Sequence, residues 1–158
     1  MFRAAGGDTI TRPVEVLGAS AVAVSCASTA VDEVLASFTI PAGTLGVNSI
    51  IEIAPLWSYT NSANNKTLKV KIGGVTVYGP ARTTTERCSP LLAFQNRNSL
   101  TSQIQSIDGG YFATSTGATP TTTIDFSVNV TVQITGQRAS GADTLTLECY
   151  RVLHYVGD

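Results

Sequence analysis

His154 is the only histidine in 158 residues, so any Ser–His–acid or Cys–His chemistry near neutral pH would have to pass through it. Nothing else in the sequence marks a partner for it. No GxSxG elbow occurs, and Cys26, Cys88 and Cys149 sit inside runs that read as strands. A surface or interface histidine is therefore the expectation. Asp125 and Glu148 lie on polar faces of two runs of alternating polarity, where a glycosidase pair would be sought. The wet face of any sheet carries carboxylates, so no catalytic residue is assigned.

Ligand chemistry is equally sparse. Three cysteines without CxxC spacing suggest neither a zinc site nor a complete disulfide framework, and buried free thiols are expected. Asp108 in "DGG" and Asp143 in "GAD" read as turn residues, because no close set of acids accompanies either. "KIGG" lacks the spacing of a phosphate cradle. No cofactor and no metal are expected. Lys66, Lys69 and Lys71, with Arg82 and Arg87, read as a solvated strand face guarding an edge. Lys69 and Lys71 are also candidates for contact with an acidic patch on a partner. Trp57 and Tyr59, two apart on one face, are either core or an anchor at a subunit contact or sugar.

The elements that carry these residues read as strands. In "TLKVKI", Leu68, Val70 and Ile72 share one face while Thr67, Lys69 and Lys71 share the other. Gly73–Gly74 then has the spacing of a tight hairpin into "VTVYG". Upstream, "LWSYT", the polar turn "NSANNK" and "TLKVKI" read as a second hairpin, and Pro55 marks an edge or a bulge. The longest alternation runs from Ile124 through Phe126, Val128, Val130 and Val132 to Ile134. The closing strand "TLTLECYRVLHYV" places Leu145, Leu147, Cys149 and Leu153 on one face. Asp108 to Pro120 is a long loop whose Tyr111 and Phe112 are candidate contact residues. Residues 1–13 show little pattern and read as either a frayed terminus or an extended N-terminal arm laid on a neighbouring subunit.

No stretch shows a helical apolar stripe. The expected architecture is all-β: one domain over residues 1–158, a β-sandwich of jelly-roll type with about eight to ten antiparallel strands. A net charge of -1 with 13% charged residues creates no field for nucleic acid or an anionic membrane. The start lacks a signal-peptide apolar run, and no stretch is long enough to span a membrane, so no membrane insertion is expected.

The segments "LASFTIPAGTLGVNSIIEIAPLWSYTNSANNKTLKVKIGG", "RCSPLLAFQNRNSLTSQ" and "DTLTLECYRVLHY" resemble a family of small β-rich virion proteins of tailed bacteriophages and prophages. The resemblance covers roughly Leu35 to Tyr155. It implies a non-enzymatic virion structural protein made in the host bacterial cytoplasm. The first expectation is a homotrimeric capsid decoration (cement) protein bound to the major capsid protein. The second is a tail-associated or fibre-tip receptor-binding module, with host surface glycan as a further partner.

Overall fold

Gly73 and Gly74 take φ of 57° and 79°, the left-handed values that a two-residue primed turn demands and that glycine meets without strain. Ile72 then lies opposite Val75 and Lys71 opposite Thr76. The tight hairpin expected there is present. Leu68, Val70 and Ile72 are fully buried, while the alternate residues of the same strand are only half-buried.

The computed structural model describes residues 14–105 and 120–157, together with the backbone of two short strands before them. Among these residues all regular structure is β. The strands are β1 (Phe2–Arg3), β2 (Thr9–Ile10), β3 (Val14–Ser20), β4 (Val24–Ser25), β5 (Glu33–Ile40), β6 (Ile50–Tyr59), β7 (Lys66–Ile72) and β8 (Val75–Tyr78). They continue with β9 (Ala81–Arg82), β10 (Arg87–Cys88), β11 (Leu92–Asn96), β12 (Gln103–Gln105), β13 (Thr121–Thr122), β14 (Val130–Arg138) and β15 (Leu145–Tyr155). The expected eight to ten is exceeded because six of these are two residues long, too short to carry a readable period.

Two antiparallel sheets form a sandwich. The eight-stranded sheet runs β13-β12-β11-β6-β15-β3, with β10 beside β6 and β4 beside β15. The five-stranded sheet runs β5-β14-β7-β8, with β9 beside β7. β1 and β2 pair with each other. Ile53, Trp57, Leu145 and Val152 from the first sheet meet Leu68, Val70, Val132 and Ile134 from the second, each fully buried. Burying such a side chain contributes roughly 1.5–3 kcal/mol. Trp57 stacks on Tyr78 across the sheets with centroids 6.1 Å apart, as Phe38 does on Tyr150 at 6.3 Å. The registers and the shared core establish the sandwich.

Four expectations about elements are corrected. The stretch from "LWSYT" to "TLKVKI" is no hairpin: β6 is paired by β15 on one side and by β11 and β10 on the other, while β7 is paired by β14, β8 and β9. With both flanks occupied, the segment between β6 and β7 crosses the roughly 10 Å between sheets. Of the edge or bulge expected at Pro55, the edge is absent, while the register shift of β15 lies one residue away, opposite Leu56 and Trp57. β11 pairs Ile50–Ile53 and β10 pairs Trp57–Ser58, so the residue without an N–H falls in the gap between them.

The long alternation becomes a strand only at Val130. Asp125 Oδ1 accepts the Ser127 N–H at 2.8 Å, a local turn that competes with the ladder. Ile124 and Phe126 still reach the core, but Val128 is 54% exposed. In β15 the register shifts between Leu147 and Cys149, and a one-residue slip exchanges faces. Leu145 and Leu147 point inward with Val152 and His154, whereas Cys149 and Leu153 turn to the outer face opposite Leu56 and Glu52.

Candidate functional site

His154 is the meeting point of three segments. β15 aims it inward, the β3 register sets Glu15 directly opposite, and Ser49 ends the loop that leads into β6. His154 Nδ1 lies 3.0 Å from Glu15 Oε2 and Nε2 lies 2.9 Å from Ser49 Oγ. With the proton on Nδ1, the ring donates to Glu15 and accepts from the serine hydroxyl. That connectivity is the one used by serine nucleophiles. The expectation of a surface histidine is corrected, since His154 and Ser49 are each 1% exposed.

The surroundings close the site. Ser49 Oγ also accepts the Gly46 N–H at 2.8 Å, while Asn96 Nδ2 donates to Gly46 O at 2.7 Å and Asn96 N to Ser49 O at 2.9 Å. A nucleophile needs a free approach to its oxygen. Here the hydroxyl is enclosed and already engaged by two partners, so the arrangement acts as a clasp between the start of β3, the β5–β6 loop and the end of β15. Sequence reasoning missed Ser49 and Glu15 because they lie 105 and 139 residues from the histidine and no local motif announces either.

Trp57 and Tyr59 are 0% and 5% exposed, which corrects the reading of either as a subunit anchor or sugar platform. The Tyr59 hydroxyl pairs with Thr85 Oγ1 at 2.9 Å, and burial pushes its pKa up. Lys66, read as part of a solvated face, is completely buried. Its ammonium donates to Ser62 O at 3.2 Å, Ser62 Oγ at 3.0 Å and Thr83 O at 2.9 Å, and lies 6.0 Å from the Tyr59 ring centroid. It thereby ties down the crossover between the sheets.

Lys69 and Lys71 do point outward, but both reach Asp32, at 2.7 Å and 3.0 Å. Burial alone would raise the Asp32 pKa; hydrogen bonds from Lys69 and then Lys71 outweigh it and hold the carboxyl below its usual range. Tyr111, Phe112, most of the Asp108 to Pro120 loop and the side chains of residues 1–13 lie outside the described residues.

Asp125 closes its turn, and Glu148 Oε1 accepts from Ser58 Oγ; no hydrogen bond or ion pair joins the two acids. Among the described residues no group of three or more His, Cys, Asp or Glu is placed to hold a metal ion. The three cysteines are free, and burial, reinforced by Glu33, pushes the Cys26 thiol up.

The two outer faces of the sandwich differ in character. On the five-stranded sheet, one cross-strand row reads Ser37, Gln133, Lys71, Thr76, which is the polar side expected of a solvated sheet. On the eight-stranded sheet, one row reads Val14, Tyr155, Ile50, Gln95, Ile104, and the next reads Val16, Leu153, Glu52, Ala93. Val14, Val16 and Ile50 are 52%, 65% and 37% exposed. β3 and β4 also make one sheet edge, with "VEVLGASAVAVS" carrying a single charge from Val14 to Ser25 and β15 pairing one side of it.

No family model matches the chain, and no curated protein matches it. Among solved structures, the crystal structure of an infectious bursal disease virus VP2 subviral particle aligns over 91% of this chain and 39% of that one, at 16% identity and a TM-score of 0.33. A structure of the Gx strain of the same virus aligns over 94% of this chain and 41% of that one, at 14% identity and a TM-score of 0.28. The chain thus spans about two fifths of the length of each of these virus-particle chains.

Proposed function

We propose that this chain is a non-enzymatic virion structural protein of a tailed bacteriophage, a jelly-roll-type homotrimer that decorates the capsid exterior and binds the major capsid protein. The observation that carries the reading is the β3–β4 edge. Val14, Val16, Val22 and Val24 are 52%, 65%, 73% and 38% exposed along it, with no lysine and no proline in the run. Proteins that work alone blunt such edges with charge or proline; a protein that works in an assembly covers them. The enclosed Ser49 hydroxyl further favours a structural role over hydrolysis, and the segment resemblance to phage virion proteins supplies the context.

A tail-associated or fibre-tip module is the second reading, favoured by the Tyr111 and Phe112 pair within a long Gly- and Thr-rich segment. Quantitative mass spectrometry of purified virions separates the two. Hundreds of copies per particle support decoration, a few dozen or fewer support the tail, and absence from particles defeats both.

A further inference from the structure

We propose that the outer face of the eight-stranded sheet is a self-association surface whose occupant is a second copy of this chain. A sheet that faces solvent alternates apolar and polar residues, as the five-stranded sheet here does. β15 does not. After its register shift Leu153 and Tyr155 face outward beside Val16 and Val14 of β3 and Ile50 of β6. The outer face at this end of the sheet therefore gathers Val14, Val16, Ile50, Leu153 and Tyr155 into one apolar patch, a surface that calls for a cover.

The size fits a protein partner. From β3 to β12 the face is five strands wide, with strands of 7, 11, 10, 5 and 3 residues in that order, giving on the order of 600 Å² from strand spacing and rise. A standard interface buries about 800 Å² per partner.

The charges point to a copy of the same chain. Within the apolar rows lie Glu52 and Arg151, 3.8 Å apart, with side chains 22% and 58% exposed. Tyr155 Oη donates to the same carboxylate at 3.3 Å. A surface with one anion and one cation side by side complements itself: Arg151 of one copy meets Glu52 of the next, and the valine edge of β3 lies alongside. A partner of uniform charge would leave one of the two opposed by its own sign.

Sedimentation velocity of the purified chain tests this with Arg151→Glu and Glu52→Arg, each alone and as a mixture. The wild type is expected to self-associate at micromolar concentration, each single reversal to weaken association about tenfold or more, and the mixture to recover it through the restored opposite pairs. A monomeric wild type, or single reversals that associate like it, would overturn the proposal. Should a reversal fail to fold, site-resolved alkylation of Cys149, which lies opposite Leu56 on this face, gives a second readout on the native chain. Its rate should fall as protein concentration rises; a concentration-independent rate overturns the proposal. The inference rests on the homotrimer of the functional reading and names its surface, yet a chain that self-associates through this face and is absent from virions leaves it standing and sinks the virion role.

Discussion

Replacing Ser49 by alanine separates a structural clasp from a dormant active site. The hydroxyl takes the Gly46 N–H at 2.8 Å and pairs with His154 Nε2 at 2.9 Å, and the serine and histidine are each 1% exposed. Alanine leaves the buried His154 ring nitrogen without a partner and frees the amide of Gly46, an exposed residue. The orphaned ring nitrogen costs about 1–3 kcal/mol, so the variant should lose roughly that much and its Tm should fall by about 2–12 °C. Glu15 offers the contrast: its side chain is 50% exposed, so Glu15→Gln should cost under about 1 kcal/mol. Urea unfolding gives the free energies, and amide exchange at Gly46 locates the damage in the β5–β6 loop. A Ser49→Ala protein within about 0.5 kcal/mol of wild type, with Gly46 still protected, would refute the clasp, since surface-like substitutions fall in that range.

Three further outcomes are open to measurement. Lys66→Met keeps most of the volume but strips two hydrogen bonds from the crossover and one from Thr83 between β9 and β10, and should cost about 2–4 kcal/mol by chemical denaturation, with Ser62 and Thr83 left to find water; stability equal to wild type would show that the ammonium holds nothing. Gly136→Ala places a Cβ 2.8 Å from Leu145 Cδ2 and 3.0 Å from Leu35 Cδ1, so overpacking should destabilise by roughly 1–3 kcal/mol in the same assay. Asp32 has a folded-state pKa below its usual value, so its stabilisation is present above about pH 4 and is lost as pH falls through the lowered folded value. Asp32→Asn should flatten the acid limb of a pH–stability profile, by no more than about 1 kcal/mol because the pair is partly solvated.

How far the sequence could be read depended on the range of the interaction concerned. The β7–β8 hairpin was legible because its causes are local: an alternating strand and two glycines at one turn. The β6–β7 connection was not, because a polar segment between two strands reads the same whether it closes a hairpin or crosses between sheets; what decides is that β15 and β14 claim the flanks from the far end of the chain. Asp125 interrupted the longest alternation through one side-chain hydrogen bond that hydrophobic period ignores. The slip after Leu147 moved Cys149 and Leu153 to the outer face, and no residue type there signals it. Lys66 looked like its neighbours Lys69 and Lys71, yet occupies a core-facing position in the same strand. The His154 clasp, assembled from three distant segments, was beyond any local pattern.

The wiring of the two sheets has a consequence for synthesis. β14 lies between β5 and β7, and β15 lies between β6 and the β3–β4 edge, so each sheet is completed through a strand made after the partners on both its flanks. Until residue 155 is out, the nascent chain presents β6 and β3 with vacant ladders and an open apolar interior, the condition in which unfinished chains stick to one another. Most pairings also span long sequence separations, which slows closure further. Pairing of both sheets thus waits until β14 and β15 have been made, and a chain cut short before Leu145 is left without the strand that joins β6 to the β3–β4 edge.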